Sequence, residues 1–77
     1  MNKIRRKELE GIVAALEDIR ETIDCVLNDE QEAYDNLPES LQESERGEAM
    51  ETAIDAMGDA ENMLEDVISY LNDAIEV

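Results

Sequence analysis

The chain has 77 residues, with 6 Lys plus Arg against 22 Asp plus Glu, a formal net charge of −16 and no histidine. The missing His removes imidazole bases, ligands and pH sensors, and with them the Glu-x-x-His pattern of di-iron bundles. The charge turns the chain away from nucleic acid and anionic membrane and towards basic protein surfaces, while a bland, solvated acidic surface is the simpler use of it.

Lys3, Arg5, Arg6 and Lys7 hold four of the six positive charges, and from Glu8 onward only Arg20 and Arg46 stand among the acids. No uninterrupted apolar segment follows this basic start, so it does not read as a signal peptide, and no apolar run approaches a membrane span.

From Leu9 apolar residues recur at heptad spacing. Leu9, Ile12, Leu16, Ile19, Ile23, Val26, Glu30, Ala33 and Leu37 form a seam that only Glu30 breaks, and Val13, Arg20, Leu27 and Tyr34 lie beside it. This period predicts a first helix over about residues 4–36. Gly11 falls on its polar side, at a cost of about 1 kcal/mol relative to Ala. Cys25 is the only cysteine and also falls on the polar side. It has no internal disulfide partner, and a free thiol fits a reducing compartment, so a cytoplasmic location is expected.

Residues 37–44 form the hinge, within the string Tyr34–Gly47, YDNLPESLQESERG. Asn36 is a candidate cap, and Pro38 suits the start of a short turn through Gln42. Leu37 and Leu41 are expected to tuck that turn over the end of the bundle. Ser44 then caps a second helix, with Glu45 and Glu48 in its first turn. Tyr34 and Arg46 are not required by this machinery. An aromatic face and a guanidinium at one end of a bundle suit a planar anion, with Asn36 adding hydrogen bonds. The simpler account is that Tyr34 covers the end of the core and Arg46 offsets neighbouring acids.

The second helix is expected over about residues 45–76. Its seam is Met50, Ala53, Met57, Ala60, Leu64, Val67, Leu71 and Ala74. Ile54, Glu61, Ile68 and Ile75 flank one edge, and Ala49, Ala56, Met63, Tyr70 and Val77 the other. Gly58 is read as lying on the polar side. Arg20 and Glu61 interrupt the apolar flanks, so they are expected to pair with each other or across a dimer, or Arg20 lines a polar pocket between protomers. A stripe this wide wants two neighbouring helices. The fold predicted is therefore all-α: a single-domain antiparallel helical hairpin that homodimerises into a four-helix bundle, or a larger homo-oligomer.

Catalysis is not expected. No calcium-loop series is present, Cys25 has no His partner and acids around it, and a slim bundle offers no deep cleft. No cofactor or metal is implied.

Glu32-Ala33-Tyr34-Asp35-Asn36-Leu37-Pro38-Glu39-Ser40-Leu41-Gln42, followed by Ser44-Glu45-Arg46-Gly47 and Met50-Glu51, resembles a group of small acidic proteins encoded by phages and mobile elements of Gram-positive bacteria. The resemblance covers roughly residues 29–75. Small non-enzymatic phage proteins often counter host defence, and the resemblance implies such a role here. Three mechanisms follow. An oligomer sequesters a nucleotide-derived immune signal in pockets built from Tyr34, Asn36 and Arg46, with Arg20. Or the acidic helices imitate DNA phosphates and block a basic, nucleic-acid-binding host protein. Or the chain is a dimerisation or adaptor module. The charge favours the second, but the hinge residues favour the first, and sequestration of the nucleotide signal is the function expected, with mimicry and the adaptor role as alternatives.

Overall fold

A computed structural model describes residues 1–77 in full. It contains three helices and no strand: α1 (Lys3–Asp35), α2 (Glu39–Gln42) and α3 (Glu45–Glu76). The first begins where the Asn2 side chain accepts the Arg5 amide at 2.8 Å, satisfying one of the free donors of the first turn. Asn36 closes α1 in an αR conformation, its amide donating back to the Glu32 carbonyl. Pro38, with φ −56°, opens α2, and its carbonyl accepts the amides of Leu41 and Gln42. Ser44 caps α3: its Oγ accepts the Gly47 amide at 3.5 Å and donates to the Leu41 carbonyl. Glu45 and Glu48 occupy the first turn, where the helix dipole favours them.

The turn is tight because Gly47 has no side chain. A β-carbon there would lie 2.7 Å from the Gln42 Cα and closer still to its carbonyl, so the end of α2 rests directly on the backbone of α3. The Gln42 amide then ties the turn down, donating to the carbonyls of Tyr34 at 3.1 Å and Leu37 at 3.2 Å. Leu37 is half-buried, as expected, but Leu41 stays exposed. The reason is geometric: α2 is one turn long and presents a single edge to the hairpin.

α1 and α3 run antiparallel along a body of 58 × 15 × 12 Å. Its radius of gyration is 17.4 Å, against about 11.5 Å for a compact chain of this length. At the open end Arg6 clamps α1 to α3, donating through Nε to the Ile75 carbonyl at 2.8 Å and through a terminal nitrogen to the Val77 carbonyl at 3.0 Å. No helix is long and apolar enough to cross a membrane.

The contact between the helices uses different rows from those expected. Leu9, Leu16 and Ile23 do face α3, but their companions are Val13, Arg20, Leu27 and Tyr34; Ile12, Ile19 and Val26 are exposed. On α3 the inner rows are Met50, Met57, Leu64 and Leu71 with Ile54, Glu61, Ile68 and Ile75, while Val67 is exposed. Each apolar stripe is three or four rows wide, and one neighbouring helix covers only two of them. Gly58 lies in the row of Glu51 and Glu65, on the polar side, and is half-buried; a β-carbon there would come 3.9 Å from the Leu27 side chain. Only Val13 (9% exposed), Ile68 (8%) and Gly47 are buried. A hairpin with so small an interior leaves most of its apolar surface in water.

Candidate functional site

The hairpin has two unlike long sides. On one, α1 contributes Ile12, Ile19 and Val26, and α3 contributes two adjacent rows from Ala49 to Val77 that contain no charge. Between the helices on this side runs an apolar groove of about 320 Å³, lined by Thr22, Ile23, Val26, Ala56, Met57 and Ala60. Met63 (70% exposed) and Tyr70 (73%) project from the same face of α3. Nothing in the protomer covers them.

The other side carries carboxylates. Glu10, Glu17, Glu21 and Asp24 line it from α1, and Glu48, Glu51, Asp55 and Glu65 from α3, all exposed. A cleft of about 420 Å³ lies in its middle, lined by Glu17, Arg20, Glu21, Asp24 and Glu61. Arg20 pairs there with Glu65 at 3.8 Å rather than with Glu61. Both partners are largely exposed, so the pair contributes little stability. Glu61 sits on an inner row, with one carboxylate oxygen buried and unpaired. Burial raises its carboxyl above the usual range, and the charge and hydrogen bond of Asp24 across the hairpin add to this. The Arg20 guanidinium acts the other way. The expected Arg20–Glu61 pair is thus replaced by a facing pair of carboxylates, Asp24 and Glu61, with Arg20 turned one helical turn further along α3.

The four residues singled out for ligand binding occupy separate places. Tyr34 is half-buried in the helix contact, and its phenol donates to the Glu51 carboxylate. That bond, then desolvation and the Glu51 charge, hold its pKa above the ordinary value. Tyr34 lines a hollow of about 270 Å³ with Gln31, Glu51, Ile54 and Asp55 on the acidic side. Arg46 is exposed, lines no cavity and falls in the heptad row of Ala53, Ala60 and Val67, on the apolar side. Asn36 caps α1. Arg20 lies about four helical turns from the hinge, in the central cleft. The protomer brings none of these four together.

Two roles were not visible beforehand. Glu51 as the partner of Tyr34 depends on hairpin register, which no local pattern announces. Gly47 had a signal, because it stands three residues after a serine cap, where the incoming turn must cross the new helix. No three of the acids and Cys25 converge in a metal-holding arrangement, and Cys25 is a free, exposed thiol.

No protein-family model matches the chain, and neither a curated protein nor a solved structure does.

Proposed function

We propose that the chain is a non-enzymatic, acidic interaction protein. It acts as a homodimeric four-helix bundle joined through the apolar sides of two hairpins, with the carboxylate sides turned outward against the basic surface of a nucleic-acid-binding protein. The observation that carries this reading is the division of the hairpin into an apolar side, with Arg46 at its hinge end, and an acidic one.

The magnitudes support phosphate imitation. One protomer spreads a net −16 over 58 Å, about one charge per 3.6 Å. Two copies overlapping along their length reach about one per 1.8 Å, close to the roughly 1.7 Å of duplex DNA. Dimerisation therefore supplies both the missing core and the missing charge density. The resemblance to phage-encoded proteins adds a setting, the bacterial cytoplasm during counter-defence, and leaves the target open. Sequestration of an anionic nucleotide has less support. Tyr34 is engaged by a carboxylate, Arg46 lies on the other side of the hairpin, and both hollows on the acidic side are lined by carboxylates.

The test is affinity capture from host lysate with identification of what binds. Mimicry expects a basic nucleic-acid-binding protein, released by salt and displaced by DNA fragments. Reversing Glu17, Asp24 and Glu65 to Lys is expected to lower its affinity at least tenfold. Capture indifferent to salt and to those reversals would rule mimicry out. A rise in melting temperature with cyclic nucleotides or ADP-ribose derivatives, lost in Arg46→Ala, would restore the sequestration reading.

A further inference from the structure

We infer that the occupant of the apolar side is a second copy docked antiparallel, hinge to open end, with α3 lying along the partner's α3. This deepens the dimer proposed above and rests on it.

Size complementarity carries the orientation. The exposed stripe of α3 is graded: Ala49, Ala53, Ala56 and Ala60 fill its hinge half, and Met63, Val67 and Tyr70 dominate the other. Two such stripes meeting antiparallel about a dyad between Glu61 and Asn62 set Ala60 opposite Met63, Ala56 opposite Val67 and Ala53 opposite Tyr70. Three of the four small residues then receive a larger one, and Ala49 alone meets an alanine, Ala74, near the ends of the overlap; small set against large is how facing layers fill space. Each contact also occurs twice, as a two-fold interface requires. The dyad lies within about one residue of the midpoint of α3, so the hairpins overlap almost fully. Seen from this side the hairpin has an outline of 58 × 15 Å, which leaves room for the roughly 800 Å² per partner that a stable interface buries.

α1 gives an independent check. The hairpin register, in which Leu27 lies opposite Gly58, Arg20 opposite Glu65 and Tyr34 opposite Glu51, places the same dyad between Ile23 and Asp24. About that point Ile19 falls about 3 Å along the helix from the partner's Val26, and Ile12 as far from the partner's Ala33. Arg46 also gains a role. The register brings it to the partner's Val77, at the negative end of that helix dipole. The alternative, with both hinges at one end, lays α3 on the partner's α1. That arrangement sets Ala53 within one residue of the partner's Ala33 and Ala56 level with the partner's Asp29, so the small residues of the hinge half meet no large apolar partner.

A cysteine pair tests the orientation. In a Cys25→Ser background, Ala56→Cys with Val67→Cys places two thiols about 16 Å apart along one helix, too far for a bond within a protomer. Antiparallel docking predicts disulfide-linked dimers for the double variant and none for either single variant. A size exchange checks the same contact without oxidation. Ala56→Val and Val67→Ala alone are each expected to weaken the dimer at least tenfold, and together to return it to within threefold. A wild-type dimer in sedimentation whose double-cysteine variant does not cross-link, and whose exchange is not rescued, overturns the antiparallel docking and leaves the dimer intact. A monomer at tens of micromolar overturns both.

Discussion

The apolar and acidic sides of this hairpin use the same backbone and the same heptad period, yet they ask opposite things of water. On the acidic side the polar groups are solvated or locally satisfied: Gln31 donates to Asp35 at 3.0 Å, Arg20 meets Glu65, and the phenol of Tyr34 meets Glu51. On the apolar side Met63, Tyr70, Val26 and Ile19 are half or more exposed, with no partner in the protomer. Single exposed apolar residues are ordinary, but contiguous rows along two helices mark a contact surface. Charge crowds one side and is nearly absent from the other, which is the pattern the proposed dimer requires.

The harshest way to break that contrast is to put a carboxylate on the wrong side. Val67→Glu is expected to weaken self-association by more than 100-fold, because it would bury an unpaired charge at the interface. Asn62→Glu adds the same charge on the acidic side and is expected to change the dissociation constant by less than about threefold. Sedimentation equilibrium of the two variants reads the difference directly. Equal effects would mean that total charge, not the apolar side, governs association.

Gly47 and Gly11 sharpen the contrast between the hinge and the helix surface. Gly47→Ala forces a β-carbon into the Gln42 backbone and is expected to destabilise by about 1–3 kcal/mol. Gly11→Ala meets nothing within 4 Å and is expected to stabilise by about 1 kcal/mol through helix propensity. Denaturant titration by circular dichroism measures both. At the other end, Arg6→Ala removes the two bonds to the last carbonyls of α3, with an expected loss of about 1 kcal/mol and faster amide exchange at Ile75 and Val77.

The helices and the turn were legible in the sequence because their signals are local. A heptad period, a serine cap and a proline at the start of a turn act within a few residues of themselves. What was not legible was the choice among equally apolar rows. Nothing near Val13 or Ile12 says which faces the neighbouring helix, since both satisfy the same period; the hairpin register decides. The same register separates Tyr34 from Arg46. Twelve residues apart around a tight turn, they look adjacent in the string, but their heptad rows emerge on opposite sides of the hairpin. The pair Asp24 and Glu61 was hidden for a related reason, because two inner-row charges of opposite sign, Arg20 and Glu61, made the more obvious match.

Glu61 offers the mildest test, and the sign is definite. Its folded-state pKa lies above the ordinary 4.5, chiefly through burial and then through Asp24. The folded state therefore holds this proton more tightly than the unfolded chain. Glu61's contribution is fully favourable below the ordinary carboxylate pKa and is lost as pH rises through the raised one. Glu61→Gln removes the charge and keeps the shape, so its melting temperature should exceed that of the wild type at pH 7. The gap should close as pH falls towards 4.5. Relief of general repulsion stabilises both proteins at low pH, so the diagnostic is the difference between the curves, not their common slope. Asp24→Asn should move the same way by less, since it removes the second cause and leaves burial in place. A Glu61→Gln protein that melts below the wild type at pH 7 would mean that the attraction of Arg20 outweighs burial. Arg20 would then belong to Glu61 rather than to Glu65.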